Sequence, residues 1–201
     1  SRAITVQYNH VVQVFSDGSS GVGTVTISSA AGKVLATKTV TFFGAPATIS
    51  ATVAKTVIGP SGSSTAAVLS VSVKDSAGVA VSGLTSSLGV VSDTTTVASS
   101  LYGVTSTYDA TTGLYSVPVT GNAAGTANLK VTTNASSTDT TGITSAAVAV
   151  RVGSYTPASV KVSTDKSSYA PGEKATITVQ ILDANGLEVV TGETYTAIFA
   201  S

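Results

Sequence analysis

The feature that most constrains the fold is a two-residue alternation of apolar and polar side chains along most of the chain. In Ala175–Ile181 every second residue is apolar, and Leu69, Val71 and Val73 alternate with polar residues in the same way. Further alternating runs are Ile4–Tyr8, Thr24–Ser28 and Val148–Val152. This period places the apolar residues on one face of an extended strand. Because no stretch shows a long apolar stripe at helical spacing with caps, the sequence predicts an all-β chain.

Turn signals separate these runs at intervals of about 8–12 residues, as in β-sandwiches and barrels. Asp75–Gly78 and Asp183–Gly186 combine an Asp, which bonds nearby backbone groups, with a Gly, which tolerates a positive φ angle. Further turns and strand breaks are predicted at Ala30–Lys33, Gly59–Gly62, Thr111–Gly113 and Ala170–Glu173. The pattern therefore predicts short strands joined by tight turns.

The chain also contains an internal repeat. Ala45–Ile49 recurs as Thr156–Val160, and Leu69–Asp75 recurs as Ile177–Asp183. In both copies one strand face stays apolar while the other varies, as expected of two copies of a strand packed on a core. The unit is about 110 residues long, a typical size for a β-sandwich domain.

The repeat predicts three domains. Residues 1–44 would be the C-terminal part of one sandwich, residues 45–153 a complete sandwich, and residues 154–201 the N-terminal part of a further one. The joints at Gly44–Pro46 and Gly153–Pro157 are short, and proline limits their backbone freedom. Because incomplete sandwiches expose strand edges and apolar faces, we expect the end pieces to be completed by adjoining repeats in a longer chain or by neighbouring copies.

Several motifs resemble a known family. They are Pro157–Val160, Tyr169–Glu173 (Tyr-Ala-Pro-Gly-Glu), Ala175–Ile181 and Asp183–Gly186 (Asp-Ala-Asn-Gly). Together they resemble bacterial immunoglobulin-like repeats of invasin/intimin-type adhesins and of surface-layer proteins. The central copy departs from the pattern, with Val-Ile-Gly-Pro at Val57–Pro60 and Asp-Ser-Ala-Gly at Asp75–Gly78. The resemblance implies tandem immunoglobulin-like sandwiches in an extracellular assembly, the first and last incomplete in this chain, and it supplies no catalytic residue.

Composition excludes several function classes. Ten basic residues balance ten acidic ones, so there is no basic surplus for nucleic-acid binding. The absence of Cys excludes disulfides and thiol chemistry, and a single His excludes multi-histidine metal sites. We find no signal peptide at the start and no apolar run of about 18 residues that could span a bilayer. The lack of both Cys and Met favours an extracellular location.

The sequence offers little support for catalysis. His10 has no acidic neighbour in sequence nearer than Asp17, and we interpret it as a structural or surface residue. A Ser–His–Asp arrangement assembled in space is the alternative. The predicted central domain contains no Glu, and its few Asp residues lie in turns or polar stretches rather than in a recognisable carboxylate pair. We therefore predict that the chain is not an enzyme.

Calcium is the most plausible cofactor, because Asp side chains and backbone carbonyls often bind it at the joints of extracellular β-arrays. The candidate ligands are Asp93, Asp109, Asp139, Asp165 and Asp183. None of them lies in a spaced ligand loop, so solvated turn carboxylates are the alternative for each.

Two further features are candidate surface sites. Asn134, in Asn-Ala-Ser, is an N-glycosylation sequon within a polar loop. Tyr102, Tyr108 and Tyr115 could form a patch that stacks on sugars, although tyrosines of the core or of a sandwich corner are the more common case.

These observations predict a structural repeat unit of a self-assembling surface (S-layer) lattice on the outside of a bacterial cell. Its partners would be copies of itself and the cell envelope, with neither nucleic acid nor a membrane span. Because the net charge is near zero, electrostatic repulsion between copies opposes their close packing only weakly. The alternatives are the stalk of a bacterial adhesin, the surface domains of a phage or virus, and the accessory domain of a secreted hydrolase.

Overall fold

The computed structural model describes residues 4–5, 11–16, 19–62 and 64–190. Within these ranges the regular secondary structure consists of thirteen β-strands, so the chain is all-β as the alternation predicts. The strands are β1 (Gly21–Ser28), β2 (Val34–Phe42), β3 (Thr48–Val53), β4 (Val57–Ile58), β5 (Ser64–Lys74), β6 (Leu88–Ser92), β7 (Leu101–Val104), β8 (Thr107–Asp109), β9 (Leu114–Thr120), β10 (Gly125–Thr132), β11 (Val148–Val152), β12 (Ser159–Thr164) and β13 (Ile177–Leu182). The strand predicted at Ile4–Tyr8 falls mainly outside the described residues.

Strands β3 to β11 form a two-sheet sandwich, which we call the central sandwich. One sheet has the order β3-β5-β9-β8, and the other has the order β4-β11-β10-β6-β7. These orders correspond to strands A-B-E-D and A′-G-F-C-C′ of an immunoglobulin domain. Strand β3 packs across the sandwich on β10 and β11. The central sandwich is therefore immunoglobulin-like by its topology.

Aliphatic side chains fill the space between these two sheets. Leu69, Val71 and Val73 of β5 are fully buried and share one apolar cluster with Leu129 of β10 and Val150 of β11. Burial of one such side chain contributes about 1.5–3 kcal/mol. The alternation that predicts the strands therefore also supplies the core.

The structure confirms the predicted turns. The N–H of Gly78 donates to the carbonyl of Asp75 at 3.0 Å, and the N–H of Gly186 donates to the carbonyl of Asp183 at 2.9 Å. Both glycines have a positive φ, +80° and +71°, that other residues adopt at a cost. The predicted breaks after β4 and after β12 separate these strands from β5 and β13.

Two further sheets of two strands each flank the central sandwich. The N-terminal hairpin is β1–β2, and the C-terminal hairpin is β12–β13. In the C-terminal hairpin Ser159 lies opposite Leu182, which matches Thr48 opposite Lys74 in β3–β5 of the central sandwich. The N-terminal hairpin begins at Gly21 with a φ of +147°, and β10 likewise begins at a glycine, with a φ of +157°. The C-terminal hairpin thus repeats the β3–β5 pairing of the central sandwich.

Candidate functional site at the two joints

The turn aspartate of each repeat has two tasks. In Asp75 the Oδ1 atom accepts hydrogen bonds from the N–H of Ala77 and of Val79, both at 2.9 Å. In Asp183 the Oδ1 atom accepts from the N–H of Asn185 at 2.9 Å and of Leu187 at 3.1 Å. One carboxylate oxygen therefore stabilises the turn, and the second oxygen is directed at the preceding repeat.

At the first joint, which we call joint 1 (Gly44–Pro46), the second oxygen of Asp75 binds the chain that leaves the N-terminal hairpin. The N–H of Gly44 donates to Asp75 Oδ2 at 2.8 Å, and Ser20 contributes a further side-chain hydrogen bond. The bond from Gly44, joined by those from Val79, Ala77 and Ser20, outweighs burial and holds the pKa of Asp75 below its ordinary value. Asp75 is 2% exposed, so it stabilises joint 1 as a buried, ionised acceptor.

At joint 2 (Gly153–Pro157) an arginine takes the place of the backbone donor. Arg151 Nη2 lies 2.8 Å from Asp183 Oδ2, and the side chains are 16% and 2% exposed. Arg151 Nη1 also donates to the carbonyl of Glu188 at 2.5 Å. Burial favours the protonated form of Asp183, but the N–H groups of Leu187 and Asn185 and the charge of Arg151 outweigh it, so its pKa lies below the ordinary value.

Backbone and ring contacts add to joint 2. The N–H of Val190 donates to the carbonyl of Ser154 at 3.1 Å. The Tyr155 ring lies against Gly59, where a Cβ atom would be only 1.9 Å from the tyrosine hydroxyl oxygen. A side chain at position 59 would therefore displace Tyr155. The central sandwich and the C-terminal hairpin are thus held by the Arg151–Asp183 ion pair, by the bond from Arg151 to the Glu188 carbonyl and by the Tyr155 ring, while the Val190–Ser154 bond ties the C-terminal segment to the joint.

The structure places the five predicted calcium ligands in separate turns and strand ends. Among the described residues there is no group of three or more His, Cys, Asp or Glu side chains that could hold a metal ion. Hydrogen bonds hold the pKa of each of these carboxylates below its ordinary value, and the residues concerned are Asp93, Asp109, Asp139, Asp165 and Asp183. The calcium assignment stays a prediction, and it would require ligands from elsewhere to join a single carboxylate.

Four of these carboxylates bind groups within their own repeat. Asp93 accepts from the N–H of Asn128 at 2.9 Å and from its side-chain nitrogen at 2.7 Å, which connects β6 to β10. Asp109 and Asp139 each accept from a backbone N–H two residues further along the chain. Asp165 accepts from the Tyr169 hydroxyl. Asp183, by contrast, binds Arg151 across joint 2.

The other predicted site residues are dispersed. Asn134 is half-buried in the loop between β10 and β11, and its Oδ1 accepts from the N–H of Gly142 at 2.8 Å, so N-glycosylation stays a prediction. Tyr115 is fully buried and donates to the carbonyl of Val81 at 2.8 Å, which makes it a core residue. Tyr108 packs on the Tyr115 ring, whereas Tyr102 lies in the opposite sheet. His10 lies outside the described residues.

Sequence reasoning missed the partners of the turn aspartates. Arg151 is one of two arginines in the chain and occupies a polar position in the alternation of β11; this rare residue type is the signal that could have singled it out. Gly44 was assigned to a joint, but nothing in its neighbours indicates a bond to a residue 31 positions later.

The chain was compared with known proteins. No protein-family model and no curated protein sequence matches it. Solved structures of similar fold include InvD of Yersinia pseudotuberculosis, at 23% identity and a TM-score of 0.43, covering 85% of this chain and 52% of that one. Invasin, described as a bacterial integrin-binding protein, has 18% identity and a TM-score of 0.34, with 88% of this chain and 34% of that chain covered. This chain thus spans about half and about a third of their lengths.

The fold assignment rests on the strand order of the central sandwich, which is immunoglobulin-like by itself. None of the described segments is an apolar helix of membrane-spanning length.

Proposed function

We propose that the chain is a non-enzymatic structural segment of an extracellular bacterial surface protein, with immunoglobulin-like repeats held at fixed spacing and orientation. The proposed domains are residues 1–44, 45–153 and 154–201. The observation that carries the proposal is the double use of the turn aspartate. Asp75 and Asp183 each complete their own turn and bind the preceding repeat, which makes each joint part of a folded unit rather than a free linker.

A lattice of identical copies, of the S-layer kind, is the assembly that we favour. Such an assembly needs repeats with a fixed relative orientation, because flexible joints would blur the spacing between contacts. The near-zero net charge and the hydroxyl-rich composition (30 Ser and 33 Thr) leave little electrostatic repulsion between copies. The partners would be further copies and the cell envelope. An adhesin stalk is the second candidate, because it needs the same stiff joints without lateral contacts.

The fixed orientation can be tested by distance measurements between spin labels. The chain has no Cys, so labels on Lys130→Cys and Lys161→Cys report the distance between the central sandwich and the C-terminal hairpin. We expect a narrow distance distribution that broadens in Asp183→Asn. The matched control is Asp93→Asn, whose carboxylate bonds lie within the central sandwich. A distribution already as broad in the unchanged chain as in Asp183→Asn would contradict the proposal.

Negative-stain electron microscopy of the parent protein separates the two assemblies. Ordered two-dimensional sheets support the lattice, and isolated beaded rods support the stalk. Loss of the sheets on addition of a chelator would support the calcium ligands as well. Sheets that persist in chelator would remove calcium from the proposal and leave the lattice in place.

A further inference from the structure

The chain enters and leaves the central sandwich on strands that run side by side. From joint 1 it continues through β3 to β4, and it leaves through β11 into joint 2. Strand β4 pairs with β11 in parallel, with Val57 opposite Arg151 and Ile58 opposite Val152. The segment that leads in from one neighbour is thus bonded directly to the segment that leads out to the other.

This parallel pairing decides how tension would act. Two parallel strands begin at the same end, so tension on the N-terminal side of β4 and on the C-terminal side of β11 makes them slide past each other. The bonds between them lie across the direction of sliding and are loaded together rather than one after another. They include Arg151 N–H to the Thr56 carbonyl at 3.2 Å and Gly153 N–H to the Ile58 carbonyl at 2.8 Å.

Two further features strengthen this arrangement. Val57 and Ile58 are 5% and 1% exposed, so their side chains are anchored in the sandwich. Strand β3 is loaded in the same sense, because six residue pairs from Thr48–Lys74 to Val53–Leu69 hold it along β5. Sliding therefore has to break contacts in both sheets of the sandwich.

The N-terminal hairpin is loaded differently. Its two strands are antiparallel, and the chain enters and leaves at the same open end, where Gly21 lies opposite Phe42. Tension there pulls the first pair apart before it reaches the next pair. The hairpin is therefore expected to open at low force, one pair at a time.

We propose that the β4–β11 pair is a shear clamp that carries tension from joint 1 to joint 2, so that the central sandwich resists stretching of the array. The inference rests on the proposed structural role, because tension reaches the clamp through the joints.

Single-molecule force spectroscopy on the full chain tests the clamp by changing only the direction of pulling. In one version the handles are attached at Ser1→Cys and Ser201→Cys, which loads β4 against β11 lengthwise. In the other they are attached in exposed turns at Ser76→Cys and Ala110→Cys, which separates β5 from β9 pair by pair. We expect a rupture force for the sandwich that is several-fold higher in the first version. Equal forces in the two directions would overturn the clamp.

Two proline variants test whether the bonds of β4 to β11 provide the resistance to stretching. In a β-strand the N–H and C=O of one residue point to the same side, and neighbouring residues point to opposite sides. The Thr56 and Ile58 carbonyls accept hydrogen bonds from β11. The Ile58 N–H therefore points toward β11, and the Val57 N–H points away from it. Because β4 is an edge strand, Val57→Pro removes no bond of this ladder, whereas Ile58→Pro removes one. We expect Ile58→Pro to lower the end-to-end force toward the crosswise value and Val57→Pro to retain most of it. The same loss in both variants would contradict the assignment.

The outcomes for the clamp and for the proposed function are separable. Should Ile58→Pro fail to fold, the comparison of pulling directions in the unchanged chain still decides. Narrow spin-label distances with equal rupture forces would overturn the clamp and leave the structural role intact. Broad distances with a high end-to-end force would overturn the fixed joints and leave the clamp intact.

Discussion

Strands β3 and β5 in the central sandwich and strands β12 and β13 in the C-terminal hairpin have the same pairing but different surroundings. Thr48 lies opposite Lys74 and Val53 opposite Leu69, and the equivalent hairpin pairs run from Ser159–Leu182 to Thr164–Ile177. Leu69 is fully buried, whereas its hairpin equivalent Ile177 is 54% exposed. Strand register is therefore a local property of the repeat, while burial depends on whether an opposite sheet is present.

The same contrast holds for the faces of the hairpin as a whole. Val160 and Val162 are 52% and 57% exposed, although they occupy the positions of Ile49 and Ala51, which pack against the central core. Exposed apolar residues that cluster on one strand face indicate a site of contact. In the proposed tandem organisation, an adjoining repeat supplies the second sheet that covers this face.

The largest expected difference between the two regions comes from matched truncations. We expect Leu69→Ala to lower the free energy of unfolding of the central sandwich by about 2–5 kcal/mol, because it leaves a cavity in the core. Ile177→Ala removes a half-exposed side chain and should cost less than about 1 kcal/mol. Denaturant unfolding measures both. Equal costs would mean that the hairpin face is covered in solution.

Acid should loosen the joints before it unfolds the sandwich core. The pKa values of Asp75 and Asp183 lie below the ordinary value of 3.8, so ionisation of these groups stabilises the folded joints above that pH, and the contribution is lost as pH falls through the lowered values. The spin-label distribution across joint 2 should therefore stay narrow at pH 5–7 and broaden below about pH 4.

The control for this pH dependence is Asp183→Asn. Because the variant lacks the titrating group at joint 2, its distribution should be broad at neutral pH and change little on acidification. If acid broadened the distance distribution of the variant as much as that of the unchanged chain, another group would be responsible for the pH dependence.

A smaller effect is expected from Gly59, which belongs to the central sandwich but makes room for a residue of joint 2. In Gly59→Ala the Tyr155 ring has to move, because its hydroxyl occupies the place of the new methyl group. We expect a broader distance distribution across joint 2 and little change in sandwich stability. Gly23→Ala is the control, since a Cβ there makes an ordinary 3.6 Å contact with Phe42. The double variant Gly59→Ala/Tyr155→Ala should relieve the clash, because the ring is absent, but it should not restore the contact between the ring and position 59.

The smallest effect concerns a feature that the hairpin lacks. Strand β5 has a register shift between Thr65 and Leu69, and Ala67 within it has a φ of +53°. A left-handed conformation costs a residue with a Cβ atom about 1–2 kcal/mol, and glycine avoids this cost but loses more chain entropy on folding. We therefore expect Ala67→Gly to stabilise the central sandwich by about 0.5–1 kcal/mol in thermal unfolding. Destabilisation would mean that the Ala67 methyl packing outweighs the strain.

Much of the fold could be predicted from local sequence. The alternation identified β1, β5, β11 and β13, and the Asp-x-x-Gly turns after β5 and β13 form as expected, because strand faces and turns depend on neighbouring residues. The shorter strands β4, β7 and β8 carry too few residues to show a period. Only part of the candidate site could be predicted from the sequence. The sequence indicates Asp183 as a candidate calcium ligand but does not indicate its pairing with Arg151.

By itself, then, the sequence determined that the chain is all-β, and it determined the positions of the turns, the apolar strand faces and the two repeated segments. Each of these properties is set by residues a few positions apart or is visible as direct self-similarity. Only the tertiary structure decided that β4 runs parallel to β11, that Asp75 reaches Gly44, and that Asp183 meets Arg151. These contacts join residues about 30 or more positions apart. Such contacts form because burial of the apolar faces brings whole strands together, and a single residue carries no local sign of the partner that this packing assigns to it.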